Sequence, residues 1–304
     1  MKRLSLIILT YNSEKDIYDC LRSVYQYNDI GDELEIIVVD NNSACFEAMR
    51  QKLQTQYPEV IVIKNEKNGG YGQGNNVGIK ASSAPIIAIM NPDIRLIMPV
   101  FAKMLCSLKD RNVIMCGGKQ HSSIEKPASS FYYDHDAPAV LQSIGFKILS
   151  KLDKYDYRRM WLQGAFFLVK KDLFMQIGLF DERIFLYAEE FYIHKRFRNA
   201  FPHKKMIYLP QLKYIHLIEN RPFSKENTYK TFKSDMFACS LLGISPLLCI
   251  RRKIMSLYIN HVIGLIRSIS HPNITSNKSI YKIQLQVLLQ LQNEIRTSNL
   301  WHYE

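Results

Sequence analysis

The sequence has no Cys-x-x-Cys pair, no internal repeat and no low-complexity tract. It also has no apolar run reaching the roughly 18 residues that a bilayer-spanning helix needs. Each absence excludes something. The six cysteines (Cys20, Cys45, Cys106, Cys116, Cys239 and Cys249) are scattered through apolar surroundings. They read as reduced packing residues of a cytosolic protein, and a zinc site is not expected. The first apolar piece, Leu4–Thr10, is too short for the apolar region of a signal peptide and lacks a small-residue cleavage site. The sequence thus predicts a protein made and kept inside the cell. Its Lys and Arg residues are dispersed, without a motif of stacking aromatics, which argues against a nucleic-acid partner.

The chain of 304 residues is 47% apolar and 22% charged, ordinary for a globular protein with a substantial core. The formal charge of +12 is not ordinary. It points to an anionic partner, either a membrane surface or a phosphorylated substrate once nucleic acid is set aside.

The first strand, Leu4–Thr10, ends at Tyr11-Asn12. Ser13 stands three residues before Asp16, a variant of the capping-box spacing that opens a helix. Ile17, Cys20, Leu21 and Val24 follow at helical spacing. Leu34–Val39 is a second strand, ending in Asp40-Asn41-Asn42-Ser43. Strand, helix and strand in this order make a βαβ unit with parallel strands. A helix over 44–57 leads to a third strand, Val60–Lys64, closed by Asn65.

The stretch that organises the rest is Ile86-Ile-Ala-Ile-Met-Asn-Pro-Asp93. Five apolar residues between two prolines read as a strand buried on both faces, as inside a parallel sheet. Just ahead of it lies Asn68-Gly-Gly-Tyr-Gly-Gln-Gly-Asn-Asn76, which holds four of the chain's thirteen glycines. A glycine-rich turn before a helix lets backbone N–H groups approach a phosphate or a base. It lacks the last glycine of the Rossmann fingerprint and the Gly-Lys-Ser/Thr of a Walker loop. Taken alone, it is equally a flexible turn, and Asn-Pro-Asp alone reads as a turn.

Further on, Val100–Leu108 is expected as a helix and Val113–Cys116 as a short strand. Residues 119–158 have little periodicity and read as an excursion, a substrate flap. Trp161–Val169 is expected as one strand and Lys171–Ile177 as a helix. A helix from Glu189 to about Asn199 has acidic residues at its start and Lys195, Arg196 and Arg198 near its end, which suits its dipole. Met206–Leu209 reads as a last short strand, with Tyr214-Ile-His216 beyond it.

In open α/β sheets ligands bind outside the carboxyl ends of the strands. Tyr11-Asn12, Asp40-Asn41-Asn42 and Asn91-Pro92-Asp93 would meet there beside the glycine stretch, as a nucleotide pocket. Asp40 can accept a base N–H, the asparagines can hold ribose and phosphate, and Asp93 can share a cation of the Mg²⁺ type with a diphosphate.

These segments, together with Gln163-Gly-Ala-Phe-Phe-Leu-Val and Ile177-Gly-Leu-Phe-Asp-Glu-Arg-Ile-Phe-Leu-Tyr-Ala-Glu-Glu, resemble the family 2 glycosyltransferases. The similarity runs from residue 3 to about 220, in order, and is nearest to their bacterial rhamnosyltransferase-like branch. It implies an α/β GT-A fold, Rossmann-like with a mainly parallel sheet, over 1–222. The nucleotide-binding half would be 1–118 and the acceptor half 119–222, followed by a helical basic region over 223–304. It implies inverting transfer of a hexosyl or deoxyhexosyl group from a nucleoside-diphosphate sugar, dTDP- or UDP-linked. The acceptor would be a saccharide or lipid-linked saccharide, in the making of a surface polysaccharide such as O-antigen or capsule.

By the same resemblance, Glu190 is the catalytic base, with Glu189 beside it in place of the family's Glu-Asp pair. Donor contacts are expected at Thr10, Tyr11, Asn12, Asp40, Asn41, Asn42, Asn68, Gly69, Gly72, Asn76 and Asn91. A divalent cation, Mg²⁺ or Mn²⁺, would sit at Asp93 with His216 near it. Asn91 replaces the first acidic residue of the family's Asp-x-Asp element, and Tyr192 replaces an Asp common in relatives. Both departures leave open a GT-A module that binds a sugar nucleotide without transferring it.

From about residue 225 the chain reads as helical and basic. Within Ser245–Arg267, Arg251, Arg252, Lys253 and Arg267 lie beside apolar residues. Such a helix either lies in the plane of an anionic membrane surface, on the inner face of the cell membrane, or is the charged outer face of ordinary packed helices.

Overall fold

The computed structural model describes residues 1–217, 223–270 and 278–297. Residue 222, where the sequence ends the first domain, and the Arg267 side chain lie outside the described residues. The chain forms two compact units, Met1–Phe131 with Leu162–Arg221, and Tyr132–Trp161 with Pro222–Glu304. The excursion expected over 119–158 thus falls largely in the unit of the C-terminal helices.

The first unit is built on β1 (Leu4–Thr10), α1 (Glu14–Gln26), β2 (Leu34–Asp40), α2 (Phe46–Gln56), β3 (Ile61–Lys64) and α3 (Gly70–Ala81). It continues with β4 (Ile86–Met90), β5 (Ile94–Leu96), α4 (Phe101–Ser107) and β6 (Val113–His121). A short ribbon of β7 (Phe131–Tyr133) and β8 (Met160–Leu162) flanks the second unit's α5 (Phe146–Lys151). The chain then returns as β9 (Phe166–Lys170), α6 (Lys171–Gln176), α7 (Glu189–Ala200) and β10 (Lys205–His216).

Eight strands form one sheet in the order β3-β2-β1-β4-β9-β6-β10-β5. The pairs β3/β2, β2/β1, β1/β4 and β6/β10 are parallel. The strand β9 runs antiparallel to β4 and β6, and β5 runs antiparallel to β10. Alternation along β1 explains why both sheet faces are covered. Leu4, Leu6 and Ile8 join the core formed with Ile17, Cys20, Leu21 and Val24 of α1. On the other face, Ile7 and Leu9 meet α3 at glycines: a Cβ on Gly78 would come within 2.6 Å of Ile7 Cγ2, and one on Gly74 would collide with Leu9. Each fully buried Leu, Ile or Val contributes about 1.5–3 kcal/mol, so these two interfaces fix the sheet.

Several expectations are corrected. The glycine stretch is not a loop, because α3 begins at Gly70 and takes in Gly72 and Gly74; its glycines let a helix lie close on β1. Ser13 does not cap α1 with its side chain; its hydroxyl donates to the Tyr11 carbonyl at 3.1 Å. The strand expected over Trp161–Val169 is broken at Gln163–Ala165, where Gln163 N–H turns to the Ser130 carbonyl at 2.9 Å. The strand β6 runs on to His121, and β10 is one strand through His216 with a register shift between Leu209 and Lys213. Cys45 and Cys106 are exposed, while the other four cysteines are buried.

The second unit carries α8 (Lys225–Leu241), α9 (Pro246–Ser270) and α10 (Lys278–Thr297), packed on one another. Residues 139–151 are helical, with a π-type turn at Leu141–Gly145. The expected excursion is therefore partly regular. Within this unit, Asp235 Oδ2 holds Lys253 at 2.7 Å, and Oδ1 faces His135 Nε2 at 3.2 Å. His135 and Lys253 hold the buried Asp235 carboxyl below the usual range against the cost of desolvation. Among the described residues no helix is long and apolar enough to cross a membrane.

Candidate active site

Parallel pairing aligns Thr10 with Asp40 and Ile8 with Met90, so the carboxyl ends of β1, β2 and β4 share one edge. Asp40 is fully buried there. Its carboxylate accepts from Thr10 Oγ1 (3.0 Å), Ser43 N–H (2.7 Å) and Ser43 Oγ (2.6 Å). Ser43 Oγ in turn accepts Asn12 N–H at 2.8 Å. The carboxylate thus ties two strand ends together, and the exposed groups at this edge are Tyr11, Asn12 and Asn42. Asn12 and Asn42 adopt φ of 51° and 68°, the left-handed region that Asn tolerates better than most residues.

Asn41 is buried and joins the first strand ends to α3. Its amide donates to Asn68 Oδ1 (2.9 Å) and the Gly70 carbonyl (3.0 Å), and its Oδ1 accepts from Asn65 (2.7 Å). Asn65 also donates to Gln73 Oε1, the side chain that a Cβ on Gly69 would strike. Asn76 turns toward the later chain, with Nδ2 on the Phe180 carbonyl (3.0 Å) and Glu182 (3.1 Å), while Oδ1 accepts Phe180 N–H (3.2 Å). Gly72 allows the same approach, since a Cβ there would come within 2.9 Å of Phe180 Cβ. The glycine-and-asparagine stretch therefore anchors the segment that leads into α7.

Asp93 and His216 are brought together. Their strands β5 and β10 pair with Ile94 opposite His216, and His216 Nε2 stands 3.2 Å from Asp93 Oδ1. Gln120 Oε1 lies 3.1 Å from His216 Nδ1 and orients the ring. All three side chains are buried. Asn91 is half-buried, and its backbone N–H bonds to the Ala165 carbonyl at 2.9 Å, in the break between β8 and β9.

That break also receives Glu190. A Cβ on Gly164 would collide with the Glu190 side chain, so the carboxylate arm lies against the Gly164 backbone. Gly164 O accepts the Tyr71 hydroxyl at 3.0 Å, and Tyr71 N–H bonds to the Phe185 carbonyl at 2.8 Å. Burial raises the Tyr71 phenol well above its ordinary value, and the charges of Glu190, Glu189 and Asp93 raise it further.

The start of α7 is held by unusual means. Tyr187 and Ala188 both adopt left-handed φ, 69° and 68°, immediately before Glu189 and Glu190. Such conformations cost on the order of 1–2 kcal/mol for each non-glycine residue, and the surrounding bonds must hold them. His194 is one of those bonds. Its Nε2 accepts Leu162 N–H at 3.1 Å, so Nδ1 carries the proton and donates to the Glu190 carbonyl at 2.6 Å. Burial, then the charge of Arg198, pushes the imidazole down to about 3, so it is neutral. Tyr192, at the departing position, is buried and braced instead: its hydroxyl donates to Asp181 Oδ2 (2.9 Å) and accepts from Arg196 (3.1 Å).

Tyr71, Asn65, Gln120 and His194 were not singled out as site residues from the sequence. A signal existed for His194, which lies four residues after Glu190 on one helix face. The roles of Tyr71, Asn65 and Gln120 arise only when separate segments meet.

Residues 5–178 match the family profile described as Glycosyl transferase family 2. The low-salt glycan biosynthesis hexosyltransferase Agl10 of Haloferax volcanii is 24% identical over 244 residues, covering 75% of this chain and 72% of that one. Among solved structures, the mannosyltransferase PcManGT of Pyrobaculum calidifontis, in complex with GDP-Man and Mn²⁺, superposes with a TM-score of 0.62 at 14% identity. The match covers 99% of this chain and 88% of that one. GalNAc-T7 with UDP, GalNAc and Mn²⁺ gives a TM-score of 0.59 at 13% identity, over 99% of this chain and 58% of that one. The fold is therefore the α/β GT-A fold with added C-terminal helices. The chain belongs to glycosyl transferase family 2, and it is a glycosyltransferase.

Proposed function

We propose that this glycosyltransferase moves a hexosyl or deoxyhexosyl group, with inversion, from a dTDP- or UDP-linked sugar to a saccharide or lipid-linked saccharide. The product would enter a bacterial surface polysaccharide, and the enzyme would work at the inner face of the cell membrane. The observation that carries the reading is geometric: the break between β8 and β9 receives the Glu190 arm against Gly164 and the Asn91 N–H at the Ala165 carbonyl, and Asp93, two residues after Asn91, faces His216 at 3.2 Å.

Glu190 is the base. It takes the proton of the acceptor hydroxyl as that oxygen bonds to the anomeric carbon, a contribution of roughly 10²–10⁴-fold in rate. The bond to the diphosphate oxygen breaks on the opposite face, which inverts the centre. Gly164, whose carbonyl accepts the Tyr71 hydroxyl, leaves room for the Glu190 arm, and His194 holds the helix turn that bears it. Tyr11, Asn12 and Asn42 offer the exposed edge for the nucleotide, and Asp40 acts behind them by fixing the strand ends.

Among the described residues no group of three or more His, Cys, Asp or Glu is arranged to hold a metal ion. Asp93 and His216, 3.2 Å apart, nevertheless fit a cation that draws its other ligands from a diphosphate and water, as Mg²⁺ and Mn²⁺ commonly do. These two residues would hold it. Bound there, the ion supplies neutralisation of the charge that develops on the leaving diphosphate.

A thermal-shift panel of UDP-, dTDP- and GDP-sugars with and without Mn²⁺ or Mg²⁺ identifies the donor. Release of nucleoside diphosphate is then compared between the wild type and Glu190→Gln. The reading expects a cation-dependent rise in melting temperature with one donor class, and turnover at least about a hundredfold lower in the variant. Equal turnover would favour the second reading, a sugar-nucleotide-binding module without transfer, which Asn91 in place of an acidic residue supports.

A further inference from the structure

The second unit presents an apolar helix face to solvent. Between 139 and 151 the chain is helical, and Val140 (55% exposed), Ile144 (39%), Ile148 (52%) and, at its end, Leu152 (57%) all point outward. They recur every fourth residue. In a pure α-helix that spacing drifts by about 40° per step. The wider π-type turn at Leu141–Gly145 drifts the other way, which keeps the stripe nearly straight.

The opposite face is fixed to its own unit. Phe146 stacks on Tyr132 with ring centroids 5.1 Å apart, and Tyr132 lies 5.2 Å from Trp161. Ser143 is fully buried, and α9 packs against the π-type turn. The apolar side therefore cannot roll inward without undoing these contacts. Lys151 is exposed directly before Leu152, the exposed Lys147 donates from Nζ to Asn260 Oδ1 of α9 at 2.5 Å, and the segment 139–152 contains no Asp or Glu.

We infer that the Val140–Leu152 face is a docking surface for an anionic lipid bilayer, lying in the interface plane. Aliphatic side chains edged by lysine suit the boundary between acyl chains and headgroups, where lysine stems lie on the apolar layer and the ammonium groups reach phosphate. A protein partner fits less well. Protein interfaces favour aromatic residues and Arg and are depleted in Lys, whereas this exposed face has only Val, Ile, Leu and Lys. The helical segment is also far too short to span a bilayer, being about 20 Å long at 1.5 Å per residue. This assignment is separate from the identity of the donor and requires no turnover.

Flotation of the full chain with unilamellar vesicles tests it, using phosphatidylglycerol mixed with phosphatidylethanolamine against phosphatidylcholine alone. The wild type is expected to float with the anionic vesicles at low salt and to remain behind with phosphatidylcholine. Ile144→Asp/Ile148→Asp, whose sites are exposed, should keep the wild-type melting temperature and lose partitioning roughly tenfold or more. Lys151→Ser should lose roughly fivefold at low salt, and less at high salt. Failure of the wild type to float overturns the inference. If the aspartate pair floats as well as the wild type, another surface binds; that overturns this face but leaves a membrane-associated transferase standing. A dimer of the wild type that the aspartate pair converts to monomer, without vesicle binding, would make the face a self-contact and overturn the lipid assignment.

Discussion

His194 donates from Nδ1 to the Glu190 carbonyl at 2.6 Å while its Nε2 accepts the Leu162 N–H at 3.1 Å. One neutral ring thus joins the helix turn bearing the proposed base to the strand before Gly164. Its protonation links stability to pH. The imidazole titrates near 6.5 in the unfolded chain and near 3 in the fold, so between these values the unfolded chain holds more protons. This contribution is complete above about pH 6.5 and is lost toward pH 3, at up to about 1.4 kcal/mol per pH unit. His194→Gln should be less stable than the wild type by about 1–3 kcal/mol at pH 7.5. Urea titrations should show the gap shrinking by pH 5; a gap that does not change with pH would contradict the neutral brace.

Gly164→Ala places a methyl group where the Glu190 arm now lies. The arm must swing away, and a base displaced by about 1 Å loses on the order of a hundredfold in rate. The expected result is a fall in kcat with little change in donor KM. Steady-state release of nucleoside diphosphate reads both, and a change confined to KM would argue against this placement of Glu190.

Asp40→Asn separates a structural carboxylate from one that contacts the base. The native group accepts three hydrogen bonds from Thr10 and Ser43 in full burial. An amide nitrogen at the Oδ1 position would oppose the Ser43 N–H, and at the Oδ2 position it would force the Thr10 and Ser43 hydroxyls to turn from donors into acceptors, at a cost of about 1–3 kcal/mol. Urea unfolding should show that loss without any nucleotide present. A variant as stable as the wild type but weaker in donor binding would return Asp40 to direct contact.

Gly78→Ala raises helix propensity by about 1 kcal/mol but pushes a methyl carbon to 2.6 Å from Ile7 Cγ2 and 3.0 Å from Val39 Cγ2. Overpacking of this kind costs about 1–3 kcal/mol. The collision should win, leaving the variant about 1 kcal/mol less stable by chemical denaturation. A stabilised variant would mean that α3 can lift from the sheet.

The strands that carry the nucleotide edge were legible because each is a short apolar run ending in Asn or Asp, a pattern that needs no tertiary knowledge. Asp93 was read from its strand end and His216 from a resemblance, and pairing of β5 with β10 brings them together. The glycines were misread for a physical reason. Whether Gly74 lines a loop or a helix depends on Leu9, more than sixty residues earlier in the chain, and local composition carries no trace of that. The run Trp161–Val169 hides its break at Gln163–Ala165 in the same way, since an apolar string does not mark where Ser130 will claim a backbone bond. In the helix over 139–151 the missing clue was orientation, because apolar spacing cannot tell an inward face from an outward one.

Tyr187 and Ala188 wind against their natural hand with no glycine to relieve them. A peptide cut out around Glu189 and Glu190 would unwind at that point and begin its helix elsewhere. The address of the two carboxylates is thus written in distant residues, Gly70 and Tyr71 at the Phe185 carbonyl and His194 at the following turn. Swapping this short segment into another scaffold would carry over its letters without its location.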